Sequence, residues 1–460
     1  TLGQEETSYY LLRKILKLTL VLGFIFAAIM YLGAPIQAAW SGGGDDLIRV
    51  MKSLSWAVLL FPSMSVLRGF FQGFNNLKPY AMSQIAEQVI RVIWMLLTAF
   101  MIMKIGSGDY VSAVVQSTFA AFIGMIASVM VLIFFLWKEG KLQAILAKET
   151  EEIDIDANAI IIETVKEAIP FIITGAAIQL FQLVDQWSFI NSMKLFTSHS
   201  LKELQILYAY LSSNPNKVTM ILISLATAIG GAGIPLLTEN FVNKDKKAAA
   251  HLVINSLQML CMVLLPAMMG AIILAQPLYT LFYGAPNNDA LWLFVVALIQ
   301  VIFLALYSLL APMLQALFEN RKAINYFAYG LVVKIVLQVP FIFLFKAYGP
   351  LLSTAIGLMI PIILMFNQIH AVTQFNRKAL WRGILLVCIL TAIMGIVVAL
   401  GTFGLHFIIS PTTRLGSVIY LVLMGALGVA VYGFLALATH LLDKLIGSKA
   451  KTLRKKFHLE

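Results

Sequence analysis

Apolar residues run in long blocks broken by short polar turns, with no sign of the even-odd alternation of a half-buried strand. Blocks long enough to cross a bilayer recur about twelve times, near 18–39, 54–72, 80–103, 111–137, 163–190, 215–238, 251–275, 290–317, 324–345, 350–370, 383–405 and 415–442. Hydrocarbon offers the backbone no hydrogen-bond partners, so each block must satisfy its own N–H and C=O groups as a helix. The predicted class is an all-α integral membrane protein.

Composition strengthens this reading. Hydrophobic residues make up 60% of 460 positions, charged residues 12%, and the mean hydropathy is +0.89. Too little polar surface is available to clothe a soluble protein of this size. The net charge of +11 is a topology signal, not a nucleic-acid footprint, because no soluble basic domain accompanies it. Arg13, Lys14, Lys17, Lys78, Lys138, Lys141, Lys148, Lys244, Lys246, Lys247, Arg321, Lys322, Arg377, Lys378 and Arg382 fall in alternate inter-block segments. The opposite loops carry roughly two- to threefold fewer cations, which predicts both visible termini on the cytoplasmic side. The tail with Lys449, Lys451, Arg454, Lys455 and Lys456 reads as a segment that contacts anionic headgroups.

Cys261 and Cys388 are far apart in apolar blocks and read as buried apolar residues. The six histidines show no metal-ligand spacing, and no nucleophile elbow, Walker or zincin motif is present. No catalytic residue, metal or cofactor is predicted. The chain opens at Thr1 with a polar stretch and no signal peptide, which reads as an N-terminal truncation.

Ionisable residues inside a span are expensive and mark candidate sites. Gln84, Glu87, Gln88 and Arg91 form one polar stripe on the third block. The stripe is either a self-neutralising pair or the wall of a wet cavity presenting Arg91 to an anion. Arg68 either snorkels to the headgroups or supports the turn that follows it. Lys334 has no acidic residue within a turn, so its partner comes from another helix or from a ligand, and a cavity role is favoured, with Arg91 and Lys334 as one candidate cation per lobe for an anionic headgroup. Asp185, beside Gln179, Gln182 and Gln186, reads as a gate or coupling residue, or as a group near the outer interface. Pro170 predicts a bend in the same block. Gly230, Gly231, Gly233 and Pro235 predict close helix packing or a break.

Two stretches repeat weakly. Leu67-Arg-Gly-Phe-Phe-Gln-Gly leads through Asn75, Asn76 and Lys78 to a helix holding Arg91. Leu314-Gln-Ala-Leu-Phe-Glu-Asn leads through Arg321 and Lys322 to a helix holding Lys334. Repeated halves around a midplane site are a common transporter plan.

The run Arg68-Gly-Phe-Phe-Gln-Gly-Phe-Asn-Asn-Leu-Lys-Pro, followed by Ser83-Gln-Ile-Ala-Glu-Gln-Val-Ile-Arg-Val, resembles the polysaccharide transporters of the multidrug/oligosaccharidyl-lipid/polysaccharide (MOP) flippase superfamily. Asn214-Pro-Asn-Lys, Pro235-Leu-Leu-Thr-Glu, Leu314-Gln-Ala-Leu and Val333-Lys334 are similar to its Gram-positive branch, which includes stage V sporulation protein B and is related in function to lipid II flippases. The resemblance implies two pseudo-symmetric helical lobes plus two C-terminal helices, fourteen spans of which about twelve are visible. It implies that a first hairpin of about 80 residues is missing, with part of a cationic central cavity. The implied organisation is an N-terminal lobe at 1–137, a cytoplasmic linker at 138–162, a C-terminal lobe at 163–370, two extra helices within 371–443 and a basic tail at 444–460.

The implied activity is alternating-access export of an undecaprenyl-pyrophosphate-linked cell-wall precursor, lipid II first, from the bacterial plasma membrane's inner leaflet to its outer one. Its partners would be the lipid-linked anionic glycan, membrane lipids and the cell-wall synthesis machinery, with no nucleic acid. Where many relatives carry an arginine beside Gly-Gln-Pro, this chain reads Ser212-Ser-Asn-Pro-Asn-Lys, so Lys217 is the candidate replacement cation. Coupling to Na+, to H+ or to the membrane potential stays open. So do another lipid-linked glycan as cargo, a cation-coupled multidrug antiporter, and an intramembrane glycosyltransferase or polymerase.

Overall fold

The computed structural model describes residues 2–74, 76–146 and 157–443. Asn75, the acidic run Glu149, Glu151, Glu152, Asp154 and Asp156, and the basic tail from Lys444 lie outside the described residues. Every regular element among the described residues is helical. The chain divides into two compact units, Thr1–Lys166 and Glu167–Glu460.

The first unit holds α1 (Leu2–Trp40), α2 (Gly44–Gly73), α3 (Leu77–Phe100), α4 (Tyr110–Lys138) and the short α5 (Lys141–Leu146). Antiparallel neighbours approach closely through small residues, as at Gly23 of α1 against the backbone of Leu59 in α2. Gly124 of α4 sits against α3, where an added Cβ would meet the Glu87 carbonyl at 2.7 Å and the Arg91 Cβ at 3.1 Å. Many large apolar side chains point outward; Leu32 is 76% exposed and Leu96 61%. That surface suits lipid, not water.

α6 (Ala157–Gly175) crosses the boundary between the units. The second unit continues with α7 (Ala177–Phe196), α8 (Leu201–Tyr208), α9 (Asn214–Gly231), α10 (Ile234–Val242), α11 (Lys246–Ile273), α12 (Ala275–Tyr283) and α13 (Asn288–Ala316). It closes with α14 (Asn320–Phe345), α15 (Gly349–Thr373), α16 (Arg377–His406) and α17 (Arg414–Ala438). The core gathers around α13, which is apolar on most sides and buries Val301, Leu304, Tyr307, Leu310 and Leu314. A helix apolar all round belongs in the middle of a bundle.

Ten helical runs among the described residues are long and apolar enough to span a membrane, eleven when α6 and α7 count together as one bent span. The run Asn320–Thr373 contains two antiparallel helices. Lys346 turns the chain in the left-handed region (φ 52°), and Gly349 then packs on the Phe341–Ile342 backbone while Gly357 packs on Gly330. Counting α14 and α15 separately takes the eleven to twelve, the number the apolar blocks predict.

Two local expectations change. The bend expected at Pro170 falls instead at Ala176, where α6 and α7 meet at 55°. Pro170 stays within helix, its carbonyl taken by the Thr174 hydroxyl at 2.8 Å. Cys261 is buried but Cys388 is exposed. Hydropathy cannot separate a lipid-facing position from a protein-facing one, since both are apolar. The glycines before Pro235 do both things expected of them. Gly230 packs against Ser256 and Leu260 of α11, and the helix breaks between Gly231 and Ile234.

Candidate functional site

Each unit holds its own charged cluster inside the helices. In the first unit the centre is Arg68 of α2. Its guanidinium donates to Glu87 Oε2 of α3 at 2.7 Å, to Ser83 Oγ of α3 at 3.0 Å and to Ser128 Oγ of α4 at 2.9 Å. Both charged side chains are nearly buried, 13% and 11% exposed. Arg68 is therefore a buried tie across three helices and does not snorkel. A planar fork with several donors can serve three acceptors on two other helices at once.

This pairing decides the polar stripe of α3. Glu87 turns toward Arg68, not toward Arg91 one turn away. Arg91 is half-buried and donates to Gln88 Oε1 at 2.6 Å. No carboxylate among the described residues lies within ion-pair distance of it. Gln84 is exposed and donates to the Tyr80 hydroxyl at 3.0 Å. Arg91 is thus a cation within α3 that no carboxylate among the described residues neutralises, with Gln88 and Gln84 along the same helix.

In the second unit the partner of Lys334 comes from another helix. The ammonium, fully buried in α14, meets Asp185 Oδ1 of α7 at 2.5 Å. It also meets the Pro350 carbonyl at 3.0 Å, Ser353 Oγ at 2.9 Å and Thr354 Oγ1 at 2.7 Å, all from α15. Gln338, one turn beyond Lys334, donates to Asp185 Oδ1 and to Ser188 Oγ, each at 2.9 Å. Its own amide oxygen accepts the Ser353 hydroxyl at 2.6 Å. No polar side-chain atom of the cluster is buried without a partner, which is what allows a charge to sit there. Asp185 lies midway along α7, with its carboxylate turned to Lys334 and Gln338 of α14.

Two hollows lie in the second unit, and only the smaller borders this cluster. The smaller, of about 60 Å³, has a mixed lining in which Gln182, Asp185, Asn216, Gln300 and Thr354 stand among apolar side chains such as Phe181, Leu304 and Leu351. A larger one of about 760 Å³ is bordered by Glu167, Thr174, Tyr307, Gln315 and Asn320. Tyr307 and Gln315 of α13 donate to the Thr174 carbonyl and hydroxyl, holding α6 just before its break. Lys217 is exposed, 4.9 Å from the Tyr283 ring centroid, and borders neither hollow. Asn214 in the same motif donates to the Tyr279 hydroxyl at 2.7 Å and accepts the Tyr283 hydroxyl on its carbonyl at 3.0 Å.

Of the predicted residues, the structure brings together Arg68 with Glu87, Arg91 with Gln88, and Asp185 with Lys334. Gln182 joins Asp185 at the small hollow. Ser83, Ser128, Gln338, Pro350, Ser353 and Thr354 join these clusters without having been predicted. Gln338 had a signal, being four residues past Lys334 on one helical face. The hydroxyls had none, because serine and threonine are ordinary in membrane helices.

The two hairpins that carry the cations share a local plan. Gly124 of α4 lies against the Cβ of Arg91, and Gly357 of α15 lies against the Cβ of Lys334. A bundle of membrane-crossing helices with charges held inside each half is the build of a transporter. Residues 2–241 match a family model described as polysaccharide biosynthesis protein. The lipid II flippase MurJ of Bacillus subtilis (strain 168) is 33% identical across 97% of this chain and 84% of its own length.

Among solved structures, lipid II flippase MurJ in an inward closed conformation superposes with a TM-score of 0.63 at 13% identity, covering 95% of this chain and 85% of that one. An inward-facing multidrug resistance MATE family transporter of the MOP superfamily gives 0.61 at 14% identity, covering 80% and 83%. The chain belongs to the polysaccharide biosynthesis protein family of the MOP superfamily, among the MurJ-type flippases. It is a multi-pass membrane transporter and not an enzyme.

Proposed function

We propose that this protein exports an undecaprenyl-pyrophosphate-linked cell-wall precursor, lipid II, across the bacterial plasma membrane by alternating access, with both described termini cytoplasmic. The observation that carries the reading is Arg91, a half-buried cation within a span, held by Gln88 and paired with no carboxylate among the described residues. A pyrophosphate headgroup leaving water needs charged donors in place of its hydration, and arginine matches phosphate oxygens in geometry. Glu87 and Asp185 are each neutralised by a cation, so neither is left to attract an organic cation. That disfavours the multidrug reading. The kinship with a lipid II flippase at 33% identity supports the choice of cargo.

The test is depletion of the protein followed by measurement of lipid II facing the cytoplasm. Accumulation is expected, with rescue by the wild-type chain and not by Arg91→Ala. Full rescue by Arg91→Ala would remove Arg91 from the cargo site. Depletion without lipid II accumulation would remove lipid II as cargo.

A further inference from the structure

We infer that the Lys334 ammonium occupies a monovalent-cation site built into the second unit, so that the protein carries its own tethered cation where an alkali ion would otherwise bind. The ammonium has three N–H bonds, yet four oxygens surround it between 2.5 and 3.0 Å, from Asp185, Pro350, Ser353 and Thr354. A shell with more ligands than donors is coordination around a charge more than a set of directed hydrogen bonds. Its members are a carboxylate, a carbonyl and two hydroxyls, the oxygen set that hard cations take. One carboxylate balances one positive charge, which fits a monovalent ion.

The shell is held in place without help from the lysine. Gln338 fixes the Asp185 carboxylate with its amide N–H and the Ser353 hydroxyl with its carbonyl. Gln338 and Ser353 are themselves buried. Preorganised ligands of this kind define a cation site, since a site assembled only around its occupant pays the ordering cost on binding. Asp185 and Thr354 also border the small hollow with Gln182, Asn216 and Gln300, so polar groups line space beside the shell large enough for an ion or a water. The Arg68 cluster of the first unit has no such character. Its planar guanidinium matches Glu87, Ser83 and Ser128 by shape, and a spherical ion cannot replace it.

Two consequences follow. While Lys334 is present, Na+ has no place in the shell and gives the protein no site-specific stabilisation. Once the ammonium is removed, Asp185 is a lone buried carboxylate facing three neutral oxygens, and Na+ restores the balance. The inference concerns binding in the second unit and does not depend on the cargo.

The experiment compares the thermal midpoint of the purified full chain in NaCl and in choline chloride, at mildly alkaline pH where protons compete least. The wild type is expected to melt at the same temperature in both salts. Lys334→Ala, and Lys334→Gln as a variant of similar reach, are expected to melt several degrees higher in NaCl, with the difference abolished by adding Asp185→Asn. Binding of radioactive sodium should follow the same order. Sodium binding or a sodium-specific shift in the wild type that Asp185→Asn removes would overturn the inference, and this arm needs no lysine variant. Folded lysine variants indifferent to sodium would overturn it too, as would variants that fail to fold in NaCl while the doubly neutral Lys334→Ala/Asp185→Asn folds.

Discussion

Glu87 lies 2.7 Å from Arg68 of the neighbouring helix, although Arg91 stands one turn away on its own. The choice leaves Arg91 positive and makes the Arg68–Glu87 pair a structural tie. Either single truncation, Arg68→Met or Glu87→Gln, should cost about 3–5 kcal/mol, because each strands a buried polar or charged group. The double variant should cost less than the sum of the singles. Chemical or thermal unfolding of the four proteins in detergent closes the cycle; additive costs would mean that the two side chains do not interact.

Arg91→Ala should behave differently. The side chain ties no helices together, so its loss should leave the unfolding midpoint within about 0.5 kcal/mol of the wild type. Affinity for the pyrophosphate-linked precursor should fall about 10- to 100-fold, the worth of one charge-assisted contact. Arg91→Lys should keep part of it. Binding titration alongside unfolding separates the two effects, and a variant that merely unfolds would refute the assignment.

Gly330 should tolerate no side chain. A Cβ there would run into the Gly357 carbonyl and come within 2.7 Å of Pro361 Cδ. Gly330→Ala should therefore separate α14 from α15 and cost about 1–3 kcal/mol. Because Lys334 reaches Pro350, Ser353 and Thr354 across that contact, the variant should also loosen the ion cluster. By contrast Gly270→Ala, where a Cβ meets nothing within 4 Å, should be neutral in the same unfolding assay.

Asp109 supplies the acid-sensitive element outside the spans. It caps α4, accepting the backbone N–H groups of Val111 and Ser112 at 3.1 and 3.2 Å. The Ser112 hydroxyl, with smaller help from those amides and from Arg49, holds its carboxyl below the ordinary value of 3.8. A depressed folded value means that the ionised cap stabilises the helix above pH 3.8, and that the gain disappears as pH falls through the lower folded value. Asp109→Asn keeps a capping oxygen but does not titrate. Its melting temperature should match the wild type near neutrality and lose less on acidification below about pH 4. Identical acid profiles would rule the cap out as a titrating element.

Much of the fold was legible in the residue pattern, because a bilayer permits so few structures. An apolar block of sufficient length can only be a helix, and so the blocks near 324–345 and 350–370 correspond to α14 and α15. The charged positions stood out for the same reason: Arg68, Glu87, Arg91, Asp185 and Lys334 are costly in hydrocarbon and therefore conspicuous. The bend after α6 was less legible. Proline marks where a helix is able to bend, while the turn itself came at Ala176, past the grip of Tyr307 and Gln315 on Thr174.

The sequence by itself determined that the chain is helical, that it crosses a membrane many times and that a handful of ionisable groups must be answered inside it. Helical periodicity sets the face each group occupies. Only the tertiary structure decided the answers: Glu87 for Arg68 across nineteen positions, and Asp185 for Lys334 across 149. Partners on other helices are chosen by how those helices pack, through contacts such as Gly124 on α3 and Gly357 on α14, and packing is a property of neighbours that no single helix encodes.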